Sequence, residues 1–262
     1  MAYIRDLFDD VARSVAFLSR VPMPSRHFLD HDGRLSRAVR AFPLAGILIA
    51  FPAAVSAALL SALGASSLFT AFVVVAVQVL VTGALHEDGL SDTADGFGGG
   101  RDRERTLVIM KDSRIGTYGA VALILSFGFR VSAIASFLPL LTSVGAGFVL
   151  LATAALSRAA MVWHWSRLPP ARSDGVAAAA GVPEAGAVSV ALGFGTVLAL
   201  LLFFAAGVPV VAVLLSFAAF ALVVPGFGRI AARKLGGHTG DTIGATQQLA
   251  EIAVLGALAL AI

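Results

Sequence analysis

Seven long apolar segments constrain this chain more than any other feature of its sequence. They cover roughly residues 42–63, 67–85, 117–139, 145–164, 187–206, 208–224 and 244–262. A helix needs about 20 apolar residues to cross the hydrocarbon core of a bilayer, and these segments approach or reach that length. Only 13% of the residues are charged, about half the fraction usual in soluble domains. The sequence therefore predicts an all-α, polytopic membrane bundle with about seven transmembrane helices.

The basic residues predict which end of the bundle faces the cytoplasm. Seventeen of the nineteen lie before the first segment or in three connections that share its side if the spans alternate. The connections on the other side, near residues 64–66, 140–144 and 207–209, carry none. Because cytoplasmic loops are enriched in Lys and Arg, we expect the N-terminus to be cytoplasmic.

We predict a single membrane-embedded catalytic domain over residues 1–262. Its N-terminal part, residues 1–40, is expected to be cytoplasmic and to begin with an amphipathic helix over 3–20. That helix lies either in the membrane interface or on the protein's own cytoplasmic face. Residues 86–116 are expected to form a cytoplasmic catalytic segment, and residues 225–243 a second cytoplasmic site loop. The net charge of only +3 gives no signal for a nucleic-acid partner.

Residues 86–119 are the most charged part of an otherwise apolar chain. Asp88, Asp92 and Asp95 are spaced i, i+4 and i+7, so on a helix they share one face. Neighbouring carboxylates repel one another, and a cation among them relieves that repulsion. Oxygen ligands in a chain without cysteine favour Mg²⁺ or Mn²⁺ over zinc. These three aspartates are therefore predicted metal ligands, with a solvated acidic face as the alternative.

A glycine-rich break over residues 96–100 follows the acidic face and leads into five basic residues. Glycines let backbone N–H groups approach a phosphate, and the planar guanidinium of arginine matches phosphate oxygens. Arg101 and Arg105, four residues apart, are predicted to face one substrate. A purely structural network of salt bridges is the alternative.

A second site is predicted over residues 236–244, which open the last apolar segment. The N-terminus of a helix is a natural seat for an anion, although Asp241 is alternatively a helix cap. Three charged residues, Arg130, Arg158 and Glu251, fall inside predicted spans, where charges are costly and usually paired or functional. For Arg158 the alternatives are snorkelling to the interface, a polar cavity, or a pair with Glu251.

These features together predict Mg²⁺-dependent phosphoryl or nucleotidyl-type transfer at a membrane surface, because such reactions depend on positioning and charge stabilisation. A cation transporter is a second class of function. The acidic residues speak against it, since they lie at the ends of spans, whereas transporter sites lie near the middle of the bilayer.

At these motifs the chain resembles the cobalamin synthase family. The matching runs are H-E-D-G-L-x-D-T-x-D-G, G-G-x-R-x-R, I-M-K-D-S-R-I-G and G-G-x-T-G-D-T-x-G-A. The resemblance implies transfer of the adenosylcobinamide phosphate group from adenosylcobinamide-GDP to α-ribazole or its 5′-phosphate. It also implies release of GMP, dependence on Mg²⁺ and a place in the bacterial inner membrane. The acidic pattern partly resembles CDP-alcohol phosphotransferases of lipid synthesis, which stay an alternative.

Roles for single residues follow from the same resemblance. Asp88, Asp92 and Asp95 would hold Mg²⁺ and take part in catalysis, with Asp95 or Asp112 as the base. Ten residues would bind substrate: His86, Arg101, Arg105, Lys111, Ser113, Arg114, Arg158, Thr239, Gly240 and Asp241. Glu87 is a weaker candidate, because a helix turns it about 100° away from Asp88. The lipid bilayer is an expected partner, and a homo-oligomer stays open.

Overall fold

Helices account for the regular structure of the chain in a computed structural model that describes residues 2–29 and 31–262. In chain order they are α1 (Ala2–Leu18), α2 (Phe42–Ala62), α3 (Ser67–Thr82), α4 (Leu85–Gly99), α5 (Arg103–Ile109), α6 (Thr117–Phe137), α7 (Ser143–Arg167), α8 (Val176–Ala179), α9 (Ala185–Ala205), α10 (Val210–Leu235) and α11 (Gly240–Ala261). Short 3-10 helices cover Ser25–Phe28, Ala38–Ala41 and Leu138–Leu140. The described ranges contain no strand, so the predicted all-α class is confirmed.

Six of these helices are long and apolar enough to cross a membrane, namely α2, α6, α7, α9, α10 and α11. A seventh candidate exists only if α3 and α4 count as one span, and these two helices are bent by 89° at their junction. The predicted membrane bundle is therefore confirmed, with its count of about seven helices resolved into six spans and one bent pair.

The bend between α3 and α4 comes from two consecutive residues in the left-handed conformation. Gly83, with φ 63°, caps α3, and Ala84 follows with φ 59°. Left-handed backbone is unfavourable for residues with a Cβ, and among the described non-glycine residues Ala84 alone adopts it. The predicted span 67–85 therefore ends at Thr82, and we treat α4 as a segment outside the spanning helices.

α10 is longer than the sequence predicts. The apolar segment is expected to end at residue 224, but the helix continues through Pro225 to Leu235. A proline removes one helical hydrogen bond, and membrane helices tolerate that loss when neighbouring groups compensate it. The expectation of a site loop over 225–243 is therefore wrong in its extent, because only residues 236–239 separate α10 from α11.

α7 is the central helix of the bundle and packs against α2, α9 and α11. Its most apolar stretch is 89% buried. Gly46 of α2 lies so close to α7 that an added Cβ would be 2.7 Å from the carbonyl oxygen of Ala154. Small residues at such crossings let two helix backbones approach within a membrane, which explains their frequency in these segments.

α1 packs on the protein itself, which is one of the two placements left open by the sequence. Val15 and Leu18 are buried against α2 and its preceding turn. The guanidinium Nε of Arg40 donates to the carboxylate of Asp10 at 2.6 Å, and both side chains are buried. Phe8, nearer the start of the helix, remains 67% exposed.

The segments that carry most basic residues meet at one end of the bundle. Contacts join these segments in pairs: Leu35 with Ala180, Lys111 with Asp174, and Ala171 with His238. The predicted grouping of these segments on one side therefore agrees with the structure. Which side of the membrane they face stays a prediction.

Candidate active site

The acidic part of residues 86–119 forms α4, the helix that its spacing predicts. Asp88, Asp92 and Asp95 follow one another along this helix, and their burial increases in that order. Asp88 is exposed, Asp92 is half-buried and Asp95 is only 8% exposed. The three carboxylates therefore meet different surroundings, and the third serves a different purpose from the first two.

Asp95 holds the N-terminus of α6. Its carboxylate accepts hydrogen bonds from the backbone N–H groups of Gly116, at 2.7 Å, and Gly119, at 2.8 Å. The start of a helix leaves such groups without an intrahelical partner, and its dipole favours a negative charge there. A Cβ at position 119 would collide with this carboxylate. The side chain predicted as a metal ligand or base is thus placed as a cap between two helices.

α4 and α11 cross at a pair of glycines. A Cβ added to Gly244 would lie 3.5 Å from the Cα of Gly89, and one added to Gly89 would lie 2.8 Å from the carbonyl oxygen of Asp241. The contact therefore leaves no room for a side chain at position 89. Because Asp88 and Asp92 lie beside Gly89 on α4, the crossing brings Asp241 to the acidic edge of that helix.

Thr239, rather than Asp241, caps α11. Its side-chain oxygen accepts from the N–H of Thr242 at 3.2 Å, and the hydroxyl of Thr242 accepts from the N–H of Thr239 at 3.0 Å. This reciprocal capping box satisfies the helix start. Asp241 is thereby released from the capping role that the sequence left open. Its carboxylate instead accepts from the hydroxyl of Thr239 at 3.2 Å.

Arg172 is a site residue that the sequence did not single out. Its Nη2 lies 3.5 Å from the carboxylate of Asp241. The chain beside it is held in place because the N–H of Ala171 donates to the carbonyl of His238, and the N–H of His238 donates to the carbonyl of Pro169, each at 2.8 Å. Its Nη1 is buried and has no hydrogen-bond partner, so one donor of the guanidinium is unused.

Asp92 lies near two other carboxylates, those of Asp88 and Asp241. Burial and the nearby carboxylates of Asp88 and Asp241 raise the pKa of Asp92 to about 7. No three acidic or histidine side chains within the described residues are arranged as a metal site. Mg²⁺ does not require such a set, because it usually binds one or two carboxylates and completes its shell with water and substrate phosphate. The edge formed by these three aspartates therefore fits Mg²⁺, which stays a prediction.

The basic residues after the glycine break lie on an open surface. Five of the predicted substrate-binding residues are exposed here: Arg101, Arg105, Lys111, Ser113 and Arg114. Arg114 pairs with Asp112 at 2.6 Å, and this contact lowers the pKa of Asp112 to about 2. A carboxylate that is already bound by arginine and is so acidic is a poor proton acceptor. The structure therefore argues against Asp112 as the base.

Arg103 fixes this connection to the rest of the bundle. Its Nε donates to the carbonyl of Leu235 at 2.7 Å, and its Nη2 donates to the carbonyl of Ala171 at 2.6 Å. Lys234 adds a bond from its ammonium group to the carbonyl of Phe97 at 3.0 Å. These bonds join the last turn of α4 and the segment after it to the end of α10 and to the chain that carries Arg172.

His86 and Arg158, both predicted to bind substrate, have interior positions. His86 is 1% exposed and Arg158 is 4% exposed. The guanidinium of Arg158 does not snorkel to the interface but lies 3.9 Å from the carboxylate of Glu251, the pairing that the sequence left open. Neither ring nitrogen of His86 has a hydrogen-bond partner.

Arg130 occupies the centre of this interior. Its guanidinium donates to Glu87 at 2.7 Å, to Glu251 at 3.1 Å and to Gln78 at 2.8 Å. Gln248 also donates to Glu87, at 3.1 Å. Two buried arginines thus face two buried glutamates, which is the pairing that buried charges require. The predicted direction of Glu87, away from Asp88, agrees with this inward placement.

A cavity of about 390 Å³ lies beside the acidic edge. Its polar side is formed by His86, Asp88, Arg172 and Asp241, and its apolar wall includes Phe17 of α1 and Trp165 of α7. A few polar groups set in a largely apolar, concave wall are typical of a site for a small ligand. The geometry therefore supports a ligand that combines an apolar body with a polar or anionic end.

Replacement of Asp95 by alanine tests its role as a cap. The variant should lose about 1–3 kcal/mol of unfolding free energy, because two backbone donors at the start of α6 lose a charged acceptor. Thermal unfolding of the purified protein in detergent measures this loss. Asp112→Asn is the control, because its ion pair with Arg114 lies at the protein surface, where such pairs contribute little, so the unfolding temperature should fall far less. An equal effect of both substitutions would contradict the capping role.

Comparison with known proteins gives one consistent result. Residues 10–259 match the family described as cobalamin-5-phosphate synthase. The chain is 79% identical to adenosylcobinamide-GDP ribazoletransferase of Sinorhizobium medicae (strain WSM419) and 78% identical to the protein of that name from Rhizobium meliloti (strain 1021), in each case over 100% of both chains. It is 40% identical to the protein of that name from Brucella canis, over 98% of both chains.

No solved structure matches the chain at a significant level. The relatives nevertheless extend over the whole sequence, including α4, the chain around Arg172 and the start of α11. The chain belongs to the cobalamin-5-phosphate synthase family.

Proposed function

We propose that this chain catalyses the final assembly step of cobalamin, as an adenosylcobinamide-GDP ribazoletransferase. The observation that carries the proposal is the full-length similarity to relatives of that name. The site adds physical support, because carboxylates and an arginine converge beside a cavity at the end of a membrane bundle. Those groups suit a reaction at a diphosphate, where positioning and charge stabilisation dominate.

The reaction exchanges the phosphoanhydride bond between two phosphates for a phosphate ester bond. A hydroxyl of α-ribazole, or of its 5′-phosphate, attacks the phosphorus that carries the cobinamide group. The bond between the two phosphates of adenosylcobinamide-GDP breaks, and GMP leaves with the electron pair. The hydroxyl proton passes to a carboxylate, and the product is adenosylcobalamin or its 5′-phosphate.

The acidic edge supplies the groups that this reaction needs. Asp88, Asp92 and Asp241 would hold Mg²⁺, which when bound neutralises the charge on the diphosphate and on the departing GMP. Arg172 would donate to phosphate oxygens through the guanidinium nitrogen that has no partner in the structure. Such charge-assisted bonds are stronger than neutral ones, so Arg172 also stabilises charge that develops on the leaving group.

The proton acceptor belongs to the same edge. Asp95 is bound to two backbone N–H groups, and Asp112 is paired with Arg114 on the surface. Both candidates from the sequence are therefore less suitable than Asp88, Asp92 and Asp241, which face the cavity or lie beside it. The exposed cations Arg101, Arg105 and Lys111 would guide the anionic substrate to this edge, since exposed charges raise the rate of encounter.

The proposed location is the bacterial inner membrane, with the N-terminus and the active site in the cytoplasm. The positive-inside rule supports this orientation, because the segments that carry most basic residues meet at the end of the bundle where the acidic edge lies. Nucleotide substrates are also cytoplasmic, so the orientation places the site where they are available.

Turnover by the purified protein tests the proposed activity. With Mg²⁺, adenosylcobinamide-GDP and α-ribazole, the protein should release GMP and form a corrinoid product in equal amounts, and EDTA should stop the reaction. Asp92→Asn should lower kcat by at least about 100-fold, the range expected when a preorganised charge is removed from a reaction centre. Product analysis by chromatography measures both.

Asp32→Asn is the matched control, because it neutralises an exposed carboxylate in the N-terminal segment and should keep the wild-type rate. Folded wild-type protein that forms no corrinoid product would overturn the proposed activity. A wild-type rate in Asp92→Asn would instead exclude Asp92 from the reaction centre.

The absence of cysteine from the sequence allows a direct test of the orientation. Single cysteines are introduced as Leu63→Cys, in the connection between α2 and α3, and as Ser173→Cys, next to Arg172; both positions are exposed. A maleimide that cannot cross the inner membrane should label Leu63→Cys in intact cells. It should label Ser173→Cys only after the membrane is disrupted. The reverse pattern would contradict a cytoplasmic active site.

A further inference from the structure

The cavity beside the acidic edge has two chemically different sides. Its polar side carries His86 and the three groups assigned above to the diphosphate, Asp88, Arg172 and Asp241. Its other side is apolar and includes Phe17, Met161, Trp165 and Ile243. The reaction centre accounts for the polar side only, so the apolar wall requires an explanation of its own.

The wall is a preformed aromatic surface. The ring of Phe17 is stacked on that of Trp165, with centroids 6.4 Å apart and planes inclined by 25°. It is also stacked on Phe42, with centroids 6.2 Å apart. Because α1 packs on the bundle through these rings, Phe17 has a fixed position in the wall. Phe42 and Trp165 are buried, so Phe17, which is partly exposed, is the ring of this group that offers a face to a planar ligand.

The wall also contains a buried donor without a partner. Trp165 is 1% exposed, and its indole Nε1 lacks a hydrogen-bond acceptor in the structure. A buried N–H group without an acceptor costs free energy, and such groups usually have a partner. An acceptor atom on a ligand in the cavity would remove that cost.

The volume of the cavity limits which part of either substrate it can hold. At about 390 Å³ it lies near the lower end of the range for pockets that hold drug-sized molecules, roughly 300–1,000 Å³. A nucleoside fits such a volume, whereas the corrin macrocycle is much larger and must stay outside. The occupant is therefore either the nucleoside α-ribazole or the guanosine part of the other substrate.

The chemistry of the wall separates these two nucleosides. Guanine has several donors and acceptors, and apart from any bond to the unpartnered ring nitrogens of His86 they would face apolar side chains, which is costly. The dimethylbenzimidazole base of α-ribazole has two methyl groups and one free ring nitrogen, an acceptor. Its apolar ring matches Phe17 and Trp165, and its ring nitrogen matches the unused indole N–H.

We propose that the cavity between α1, α4, α7 and α11 binds the acceptor nucleoside, with its base against Phe17 and Trp165 and its ribose toward Asp88 and Asp241. The inference rests on the proposed function, since it assigns one of the two substrates of that reaction. The placement directs a ribose hydroxyl toward the acidic edge, where the diphosphate is attacked. The corrinoid substrate then approaches from outside the cavity.

Two substitutions in the wall test this assignment. Phe17→Ala removes the stacking surface, and Trp165→Phe keeps an aromatic ring but removes the N–H donor. Each should raise the KM for α-ribazole roughly five- to tenfold, the loss expected for one aromatic or hydrogen-bond contact, and leave the KM for adenosylcobinamide-GDP unchanged. Phe8→Ala on the same helix is the control, because Phe8 is exposed and lies about 180° around the helix from Phe17, so its loss should change neither value.

Direct binding provides a readout that does not depend on turnover. Equilibrium dialysis should show that wild-type protein binds α-ribazole, that both wall variants bind it more weakly, and that GMP does not displace it. Displacement of α-ribazole by GMP, or a raised KM for adenosylcobinamide-GDP with that for α-ribazole unchanged, would overturn the assignment. Absence of turnover with normal α-ribazole binding would instead refute the proposed reaction and retain the nucleoside site.

Discussion

The guanidinium of Arg130 joins four helices in the buried interior, and the geometry of the site depends on that connection. It donates to Gln78 of α3, Glu87 of α4 and Glu251 of α11 while belonging to α6 itself. Removal of one partner would leave a charge buried without compensation, which is strongly destabilising. The network therefore restricts how far these helices can rotate or slide relative to one another.

That restriction sets the direction of the carboxylates at the end of the bundle. Glu87 points inward to Arg130, so the next residue, Asp88, is turned by about 100° toward the surface. Glu251 and Gln248 anchor α11 in the interior in the same way, and Asp241 lies more than one helical turn before them. With the helices so oriented, the contact between Gly89 and Gly244 brings Asp241 of α11 beside Asp88 and Asp92 of α4. Buried ion pairs thus determine the position of groups that are not themselves buried.

The sequence predicted the parts of this arrangement that depend on local pattern. The length of the apolar runs predicted the bundle, and the i, i+4, i+7 spacing predicted the helix under the aspartates. It did not predict Arg172, because its place beside Asp241 depends on hydrogen bonds between two connections that are distant in sequence. The bend at Ala84 also escaped prediction, since alanine is usually a helix former. The cap formed by Asp95 was missed for a similar reason, because its partners begin another helix.

The central claim is that Asp88 of α4 and Asp241 of α11 act as one unit. A double-mutant cycle on kcat/KM tests this claim, with Asp88→Asn, Asp241→Asn and both together. Asparagine keeps a neutral oxygen ligand, so residual turnover stays measurable. If the two carboxylates share one reaction centre, the fold-decrease in kcat/KM of the double variant should be at least about tenfold smaller than the product of the two single fold-decreases. A double-variant decrease equal to the product of the single decreases, which is a coupling free energy of zero within about 0.5 kcal/mol, would contradict a shared site.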